Sequence, residues 1–546
     1  MSPGTTTRRH LLWATVVVAP AGFMALFFAW PVLSILSHGF AGQGIRASVA
    51  TLTSPGIPGA IGATVRLAVA GTIGSVALGL PAAYALFHLR WRGQRVARAL
   101  ATVPFVLPTV VVAAAFSALF ARHGMLGAMG LDQSEFSIVL ALVFFNVSVV
   151  LRIVGNRWAG LDPALVATAR TLGASRLRAW YAVTLPSLGP AIGASAAVVF
   201  LFCSTSFGLV LVLGGTRVRT VETQIYLQVS QFLDLHTAAV LALVQVVFVA
   251  VAFFVATRSQ RGAEALGFGG GRDGSRLVRR SDAWAVVVGL VPLIALLGMP
   301  TIALVERSLR TSGGAHGLGN YAALLRPPSR SVLPVSIAQA GANSLVTALI
   351  ATALAGTLAL LITAGVTRGP RWSRIVEGLA MAPLGVSSVV VGLGLLLTLN
   401  RQLLGVDLRR SWWLVPIAQA VIAVPLAVRI LVPAARSLEP KLRAAASSLG
   451  ASPWRVWLRV DWPLLRAPMG LTLAFAFAIA LGEFGATTFV ARPDRPTLPT
   501  AVARLLSRPG AENVGMGYAT AVVLAVVTAC VMLASERFTS RGRRKP

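Results

Sequence analysis

The sequence predicts an all-α polytopic membrane protein of about twelve transmembrane helices, arranged as two parallel repeats of six helices each. Three observations support this fold class. Hydrophobic residues make up 56% of the 546 residues and charged residues only 12%, so the chain has more apolar surface than a soluble fold can bury. Apolar stretches of helical length recur along the whole chain. A polar segment, residues 161–186, also occurs a second time at 438–463.

The apolar stretches predict the transmembrane spans. A helix needs roughly 20 apolar residues to cross a hydrocarbon core of ~30 Å, and the stretches lack the alternation of a barrel strand. The first stretch is longer than the apolar region of a signal peptide and has no small-residue cleavage site, so we expect a retained helix. The predicted spans are 11–36, 62–86, 97–121, 137–155, 187–213, 237–257, 283–305, 343–366, 376–399, 412–433, 467–490 and 516–534.

A duplication explains why the spans fall into two sets of six. At an offset of 277 residues the two polar segments align without a gap, and roughly half of the aligned positions are identical. The stretch between the halves is rich in glycine and arginine, which predicts a flexible cytoplasmic linker. The predicted domains are a first transmembrane repeat at 1–257, the linker at 258–282 and a second transmembrane repeat at 283–546. Further pairs match at similar offsets: Arg152 with Arg429, Phe207 with Phe484, Thr220 with Thr497, Thr223 with Thr500 and Ala63 with Asn343.

The formal net charge of +31 would indicate nucleic acid as the partner of a soluble protein, but here the basic residues lie mainly in short loops and tails. We therefore expect membrane lipid and no nucleic acid. By the positive-inside rule both termini and both polar segments are cytoplasmic. The loops assigned to the cytoplasm carry Arg8, Arg9, Arg90, Arg92, Arg95, Arg98, Arg368, Arg371 and Arg374, and the opposite loops carry Arg307, Arg310, Arg326, Arg409, Arg410 and Arg492.

The two polar segments, named here the first repeated segment (161–186) and the second repeated segment (438–463), each predict a helix-turn-helix. An acidic residue followed by proline begins a helix of small residues, and a glycine ends it. A second short helix then runs to a proline before the next span. A small-faced helix of this kind is suited to insertion into the groove of a partner. The residues that define the pattern are Ala167, Ala169, Gly173, Ala174 and Pro186 in the first copy, and Ala444, Ala446, Gly450, Ala451 and Pro463 in the second.

This pattern resembles the cytoplasmic coupling motif of permease subunits in binding-protein-dependent ABC importers. The motif has three small residues, then three variable residues and a glycine, followed by thirteen residues that end on a proline. The family's motif usually opens with glutamate, whereas both copies here open with alanine, Ala167 and Ala444. That difference removes a salt bridge but leaves the docking role in place. Two repeats fused in one chain are most similar to the thiamine and ferric-iron permeases of the family.

The resemblance implies a transport subunit that is not itself an enzyme and sits in the bacterial plasma membrane. It implies a homodimeric ABC ATPase on the cytoplasmic face, which uses ATP and Mg²⁺, and an extracytoplasmic solute-binding protein. The chain itself has no GxxxxGK[S/T] loop, and its only lysines are Lys441 and Lys545, so we expect no cofactor bound by this chain. The solute is expected to be thiamine, a phosphate ester of thiamine, or ferric iron.

Glu483 is a carboxylate predicted within a span, where a charge costs ~2.5–3.5 kcal/mol on insertion scales. It is either a translocation-path residue or a partner for Arg429 or for backbone. Its counterpart in the first half, Ser206, is a second candidate for the translocation path, and the alternative for this hydroxyl is a structural contact between packed helices. Histidines and cysteines form no pattern that predicts a metal or catalytic site. An ion-gradient-driven secondary transporter remains the main alternative, and a membrane enzyme is disfavoured because no acid/base pair emerges.

Overall fold

The computed structural model describes residues 16–40, 44–265, 276–278, 280–326, 332–368, 373–399, 407 and 411–542. Several predicted features lie outside this part of the chain. They are residues 11–15 of the first predicted span, residues 266–275 of the predicted linker, and Arg8, Arg9, Arg371, Arg409 and Arg410.

Long helices dominate the described residues, and the predicted all-α membrane fold is confirmed. Among these residues, ten helices are long and apolar enough to cross a membrane, and two bent helix pairs bring the total to as many as twelve. The bend is 108° in the second pair. The ten helices are Val16–Gly39, Ile57–His88, Glu135–Ala159, Arg176–Ser204, Leu235–Ser259, Ala283–Leu309, Ile337–Thr367, Leu414–Arg436, Trp454–Gly482 and Ala511–Leu533; the bent pairs are Gln94–Phe105 with Thr109–Phe120, and Ser373–Gly385 with Ser388–Thr398.

Shorter elements connect the long helices. Two two-residue strands, Leu89–Arg90 and Arg276–Leu277, pair in parallel. The short α-helices are Gly44–Leu52, Pro163–Thr171, Phe207–Gly214, Val221–Leu227, Gly319–Ala323, Pro440–Ser448, Gly485–Val490 and Leu498–Leu506.

Predicted spans 97–121 and 376–399 fall on the two bent pairs and are wrong as continuous helices. Two further predicted spans, 187–213 and 467–490, are also wrong as continuous helices. The first ends at Ser204 and a separate helix begins at Phe207. The second ends at Gly482 and a separate helix begins at Gly485. Hydropathy could not reveal these breaks because the sequence on both sides of each break is equally apolar.

The same two helices begin earlier than predicted, inside the repeated segments. We expected Pro186 and Pro463 to end the short second helix of each segment. Instead the helix continues through a single π-helical turn, Trp180–Thr184 or Trp457–Asp461, directly into the long helix. Proline has no N–H to donate, and a π turn next to it accommodates the changed hydrogen-bond pattern. Each repeated segment is therefore joined to a long helix without a loop.

The described chain forms two compact units, each of which includes the first helix of the other sequence half. One unit, called here the first-repeat unit, comprises Ile45–Asn320 and Leu506–Val522. In it Ala283–Leu309 packs against the Ile57–His88 helix, where a Cβ on Gly289 would lie 2.7 Å from the carbonyl carbon of Pro81. The division into domains at 257 and 283 by sequence stays a prediction, because a repeat and a compact unit need not coincide.

The other unit, the second-repeat unit, comprises Met1–Gly44, Tyr321–Leu505 and Val523–Pro546. Its apolar core includes Val17, Met24 and Phe28 of the Val16–Gly39 helix, together with buried residues of the helices between 355 and 490. A Cβ on Gly394 would lie 2.9 Å from the carbonyl carbon of Pro31, so glycine permits a close helix contact there. This N-terminal helix is thus part of a packed core.

The described ends of the predicted linker are regular structure. Residues 258–265 continue the helix Leu235–Ala265. Arg276 lies on a strand, and its guanidinium contacts both carboxylate oxygens of Asp282 at 2.5 and 2.7 Å and the Tyr84 hydroxyl at 2.7 Å. The hydrogen bond to Asp282 is the largest cause of the raised pKa of the Arg276 guanidinium. The second end of the linker is consequently fastened to the first-repeat unit.

Candidate functional site

The first repeated segment begins with a capped helix and ends it at a left-handed glycine. Asp162 accepts a hydrogen bond from the Ala164 N–H at 2.9 Å, which satisfies one free donor at the start of Pro163–Thr171. Gly173 has φ +86°, and the Ala174 N–H donates to the Ala169 carbonyl at 3.1 Å. These are the features of a Schellman ending, which requires a residue that tolerates positive φ.

The second repeated segment reproduces this backbone geometry. Pro440–Ser448 ends at Gly450 with φ +77°, and the Ala451 N–H donates to the Ala446 carbonyl at 3.1 Å. Ser452 then caps the next helix by accepting from Arg455 N–H at 3.4 Å, as Ser175 does from Arg178 N–H at 3.2 Å in the first copy. The start differs, because Glu439 makes no side-chain cap where Asp162 does. The structure therefore forms the predicted helix-turn-helix twice.

Large apolar side chains of both segments point away from their own unit. Leu172 and Leu449, at equivalent positions beside the glycines, are 83% and 87% exposed. Leu165 and Leu442 are also exposed, whereas Ala169 and Ala446 are half-buried. When a partner covers an exposed leucine, binding is stabilised by ~25 cal/mol for each Å² of apolar surface that is removed from water. Matched exposed leucines on two short helices fit a protein groove.

Glu483 was predicted to lie within a continuous span, and this was wrong. It lies in the break between two helices. Its carboxylate accepts hydrogen bonds from the backbone N–H groups of Ala486 and Thr487, both at 2.8 Å, and from the Thr487 hydroxyl. These groups form the N-terminus of Gly485–Val490, where the helix dipole favours a negative charge. The side chain is buried, with the residue 7% exposed, while Arg429 is exposed. Of the two partners predicted for this carboxylate, Arg429 and backbone, the structure shows hydrogen bonds to backbone N–H groups.

Ser206, the counterpart of Glu483, forms its hydrogen bond with the preceding helix, whereas Glu483 bonds to the helix that follows it. Its hydroxyl donates to the Phe202 carbonyl at 2.7 Å, on the helix that ends at Ser204, and makes no cap on Phe207–Gly214. The two halves thus share a helix break at equivalent positions but stabilise it with different side chains. Glu483 and Ser206 belong to different units and to different local networks.

Sequence reasoning missed a second buried carboxylate, Glu222. It is 1% exposed and lies on Val221–Leu227. Gln245 donates to its Oε1 at 3.3 Å and to the Ser204 carbonyl at 3.1 Å, so Glu222 is connected to the helix end that precedes the first-half break. The equivalent position in the second half is Pro499. A signal was present, since Glu222 is one of two acidic residues, with Asp234, between the predicted spans 187–213 and 237–257.

One polar motif is identical in both halves. The Thr220 N–H donates to the Thr223 hydroxyl at 2.8 Å, and the Thr497 N–H donates to the Thr500 hydroxyl at 2.9 Å. A hydroxyl from the neighbouring long helix accepts from the next backbone N–H in each case. Thr64 accepts from Val221 at 3.0 Å and Ser344 accepts from Leu498 at 2.6 Å. The predicted correspondence of these threonines is therefore visible as shared hydrogen bonds.

A basic cavity lies in the second-repeat unit, at the end opposite its repeated segment. It measures about 270 Å³ and is lined by Asn343, Trp412, Arg492 and Arg495, with smaller side chains between them. Leu414–Arg436 runs from this cavity to the second repeated segment, a length of about 35 Å. Arg492 pairs with Asp494 at 2.9 Å. In the part of the chain that the structure describes, no carboxylate pairs with Arg495.

The corresponding end of the first-repeat unit carries an internal ion pair. Arg66 contacts Glu135 at 2.7 Å, at the start of the Glu135–Ala159 helix. The equivalent residues in the second half are Val346 and Trp412. The ion pair at this position is therefore present in one half and absent from the other. No group of three or more histidine, cysteine or acidic side chains that could hold a metal occurs among the described residues.

Comparison with known proteins agrees with the duplication. The family model described as "Binding-protein-dependent transport system inner membrane component" matches residues 75–264 and again 355–544. The thiamine transport system permease protein ThiP of Brucella suis biovar 1 is 26% identical over 87% of this chain and 86% of its own length. ThiP of Escherichia coli K12 is 27% identical over 84% and 85%. The molybdenum transport system permease protein ModB of Haemophilus influenzae is 33% identical over 31% of this chain and 79% of its own length.

Proposed function

We propose, from the premise that this chain belongs to the family of binding-protein-dependent transport system inner membrane components, that it admits thiamine to a bacterial cell. The chain is an ABC importer permease, because the family model matches both halves and ThiP proteins match most of its length. Its location in the plasma membrane, with both termini and both repeated segments in the cytoplasm, is part of the proposal and rests on the distribution of arginines.

The repeated segments are the docking sites for a separate ATPase. Each presents an exposed leucine at a rigid glycine turn, Leu172 or Leu449, and each continues without a loop into a long helix. A displacement of the docked segment therefore moves the long helix as one body. Two segments of the same shape suit a homodimeric ATPase that binds ATP and Mg²⁺, since each protomer can present the same groove. Closure of that dimer would switch the permease between inward-facing and outward-facing states.

A solute-binding protein would deliver the solute at the opposite end of the long helices. The basic cavity lies there in the second-repeat unit, with Arg492 and Arg495 at its edge. Arginines at an exposed rim attract acidic surfaces and raise the rate of association. The support for this part of the proposal is electrostatic. It concerns the end of the permease that the binding protein would approach, and not the individual residues that the binding protein would contact.

Thiamine is the solute that the observations favour. The ThiP relatives align along most of both chains, whereas the ModB relative aligns with less than a third of this one. Each half also buries one carboxylate beside its helix break, Glu222 or Glu483. Buried carboxylates are compatible with a cationic solute and unfavourable to an anionic one, and thiamine is a cation. A phosphate ester of thiamine and ferric iron are the competing solutes.

The test is uptake by proteoliposomes that contain the permease with the ABC ATPase and the solute-binding protein of the same organism. We expect ATP-dependent accumulation of radiolabelled thiamine, and competition by unlabelled thiamine that is at least tenfold stronger than by thiamine monophosphate or ferric citrate. Preferential competition by either of the other solutes would overturn the thiamine assignment. Uptake driven by an ion gradient without ATP would overturn the ABC mechanism and favour a secondary transporter.

A further inference from the structure

The second repeated segment contains a buried ion pair that the first does not. The Arg443 Nε lies 2.7 Å from the Asp461 Oδ1. Arg443 is on the helix Pro440–Ser448, and Asp461 is the last residue of the π-helical turn Trp457–Asp461. The Asp461 side chain is 1% exposed and the Arg443 side chain 24% exposed. The pair therefore joins the helix that would dock to the start of the long helix Trp462–Gly482.

The first repeated segment has different chemistry at the same two positions. Val166 corresponds to Arg443 and Thr184 corresponds to Asp461. A valine and a threonine cannot form an ion pair, and Thr184 is itself buried. The two segments share their capped turns, their exposed leucines and their π-helical turns, so this pair is a difference within an otherwise matched geometry.

A short, charge-assisted hydrogen bond resists changes in distance and angle more than apolar contact does. Apolar side chains can slide past one another with little loss of contact, whereas a buried carboxylate that loses its guanidinium is left without its compensating charge. The helix Pro440–Ser448 is consequently held in one orientation relative to Trp462–Gly482. The corresponding helix Pro163–Thr171 is held by its chain connection and by uncharged contacts.

We propose that Arg443 and Asp461 are positioning residues for ATPase coupling. They hold the second repeated segment more rigidly to its long helix than the first repeated segment is held to its own. Motion of a docked ATPase then reaches Trp462–Gly482, and the Glu483 break at its end, with little loss. The first repeated segment transmits motion more loosely. This inference rests on the proposed function, because it assumes that an ATPase docks on the segments.

The test compares uptake with ATP hydrolysis in the reconstituted complex. Asp461→Asn and Arg443→Gln each remove one charge, and the double variant Arg443→Asp with Asp461→Arg restores a pair of opposite charges. We expect each single variant to lower the thiamine transported per ATP hydrolysed at least fivefold, with the ATPase still bound after purification. The double variant should recover at least half of the lost ratio.

Matched controls separate coupling from general loss of an ion pair. Glu377→Gln breaks an ion pair of the same unit, Glu377 with Arg436 at 2.8 Å, which does not involve the repeated segment. It should leave the ratio unchanged. Val166→Arg with Thr184→Asp introduces the pair in the first segment, and should not lower the ratio.

Three results would overturn the inference. They are an unchanged ratio in both single variants, a lowered ratio that the double variant does not recover, and loss of the bound ATPase in all three variants. Failure of the proposed function would look different, because the wild-type complex would then bind no ATPase or show no uptake dependent on ATP.

Discussion

The two halves of this permease share their backbone hydrogen bonds more closely than their buried charged side chains. Thr220 and Thr223 make the same hydrogen bonds as Thr497 and Thr500, and the two glycine turns have nearly the same φ. The buried carboxylates have diverged. The carboxylate buried near the helix break is Glu222 in one half and Glu483 in the other, at positions that do not correspond. The comparison shows that the duplicated scaffold sets where helices begin, bend and break, while these buried carboxylates differ between the halves.

The same contrast holds at both ends of the long helices. At one end, Arg66 is paired with Glu135 in the first-repeat unit, whereas Arg495 faces a cavity in the second-repeat unit. At the other end, the second repeated segment carries Arg443 and Asp461 while the first carries uncharged residues. The two halves therefore form ion pairs at positions that are not equivalent. Functional asymmetry can arise in this way without any change of fold.

The largest effect is expected from replacing the turn glycines. Gly173→Val and Gly450→Val each place a β-branched residue at positive φ, which costs on the order of 1–3 kcal/mol and forces the helix ending to change. Nothing lies within 4 Å of an added Cβ at either site, so the effect would come from the backbone and not from a clash. We expect substrate-stimulated ATPase activity of the reconstituted complex to fall at least tenfold in both variants.

The matched control for these variants is Gly189→Val. Gly189 lies in the helix Leu185–Ser204, has no positive φ, and also has nothing within 4 Å of an added Cβ. It should keep wild-type coupling. If the Gly450 variant loses more activity than the Gly173 variant, the comparison between a rigid and a loose segment is sharpened. Unchanged coupling in both would remove the docking assignment.

A smaller effect is expected at the two helix breaks. Glu483→Gln removes the charge that interacts with the N-terminus of Gly485–Val490, which contributes about 1 kcal/mol in a partly buried setting. The melting temperature of the purified permease should fall and thiamine uptake should decrease, with assembly intact. Ser206→Ala removes only a bond back to the preceding helix, so its stability should change by less than about 0.5 kcal/mol.

Equal losses in the Glu483 and Ser206 variants would show that the breaks are energetically equivalent despite their different side chains. Wild-type uptake by Glu483→Gln would exclude a role for this carboxylate in transport and leave it a helix cap. Thermal unfolding and uptake measured on the same preparation distinguish the two roles.

The sequence predicted the number of spans and the two repeated segments, because both depend on long patterns. Twelve apolar stretches are hard to mistake, and a segment such as 161–186 that recurs at 438–463 cannot arise by chance. The ends of the elements were less predictable. The breaks before Phe207 and Gly485 lie inside apolar sequence. The sequence predicted helix ends at Pro186 and Pro463, but the helix continues there through a π-helical turn.

The sequence did not predict which residues and helices contact one another. Arg429 and backbone were the two partners predicted for Glu483 if it is not a path residue, and the sequence did not distinguish them; the carboxylate accepts from N–H groups three and four residues ahead of it. The exchange of first helices between the compact units was equally hidden, since hydropathy records that a helix is apolar and not which helices it packs against. Glu222 was visible as one of two acidic residues between predicted spans, yet its burial follows only from the path of the chain.

The smallest expected difference is between two variants of the motif that both halves share. Thr223→Val and Thr500→Val each remove the hydroxyl that accepts from the backbone N–H of Thr220 or Thr497, so each should lower the free energy of unfolding by about 1 kcal/mol. Because the two motifs have the same geometry and both are buried, the two losses should agree within about 0.5 kcal/mol. Thermal unfolding of each variant in the same detergent measures this. Losses that differ by more than that would mean that the halves diverge in their backbone scaffold as well as in their charges.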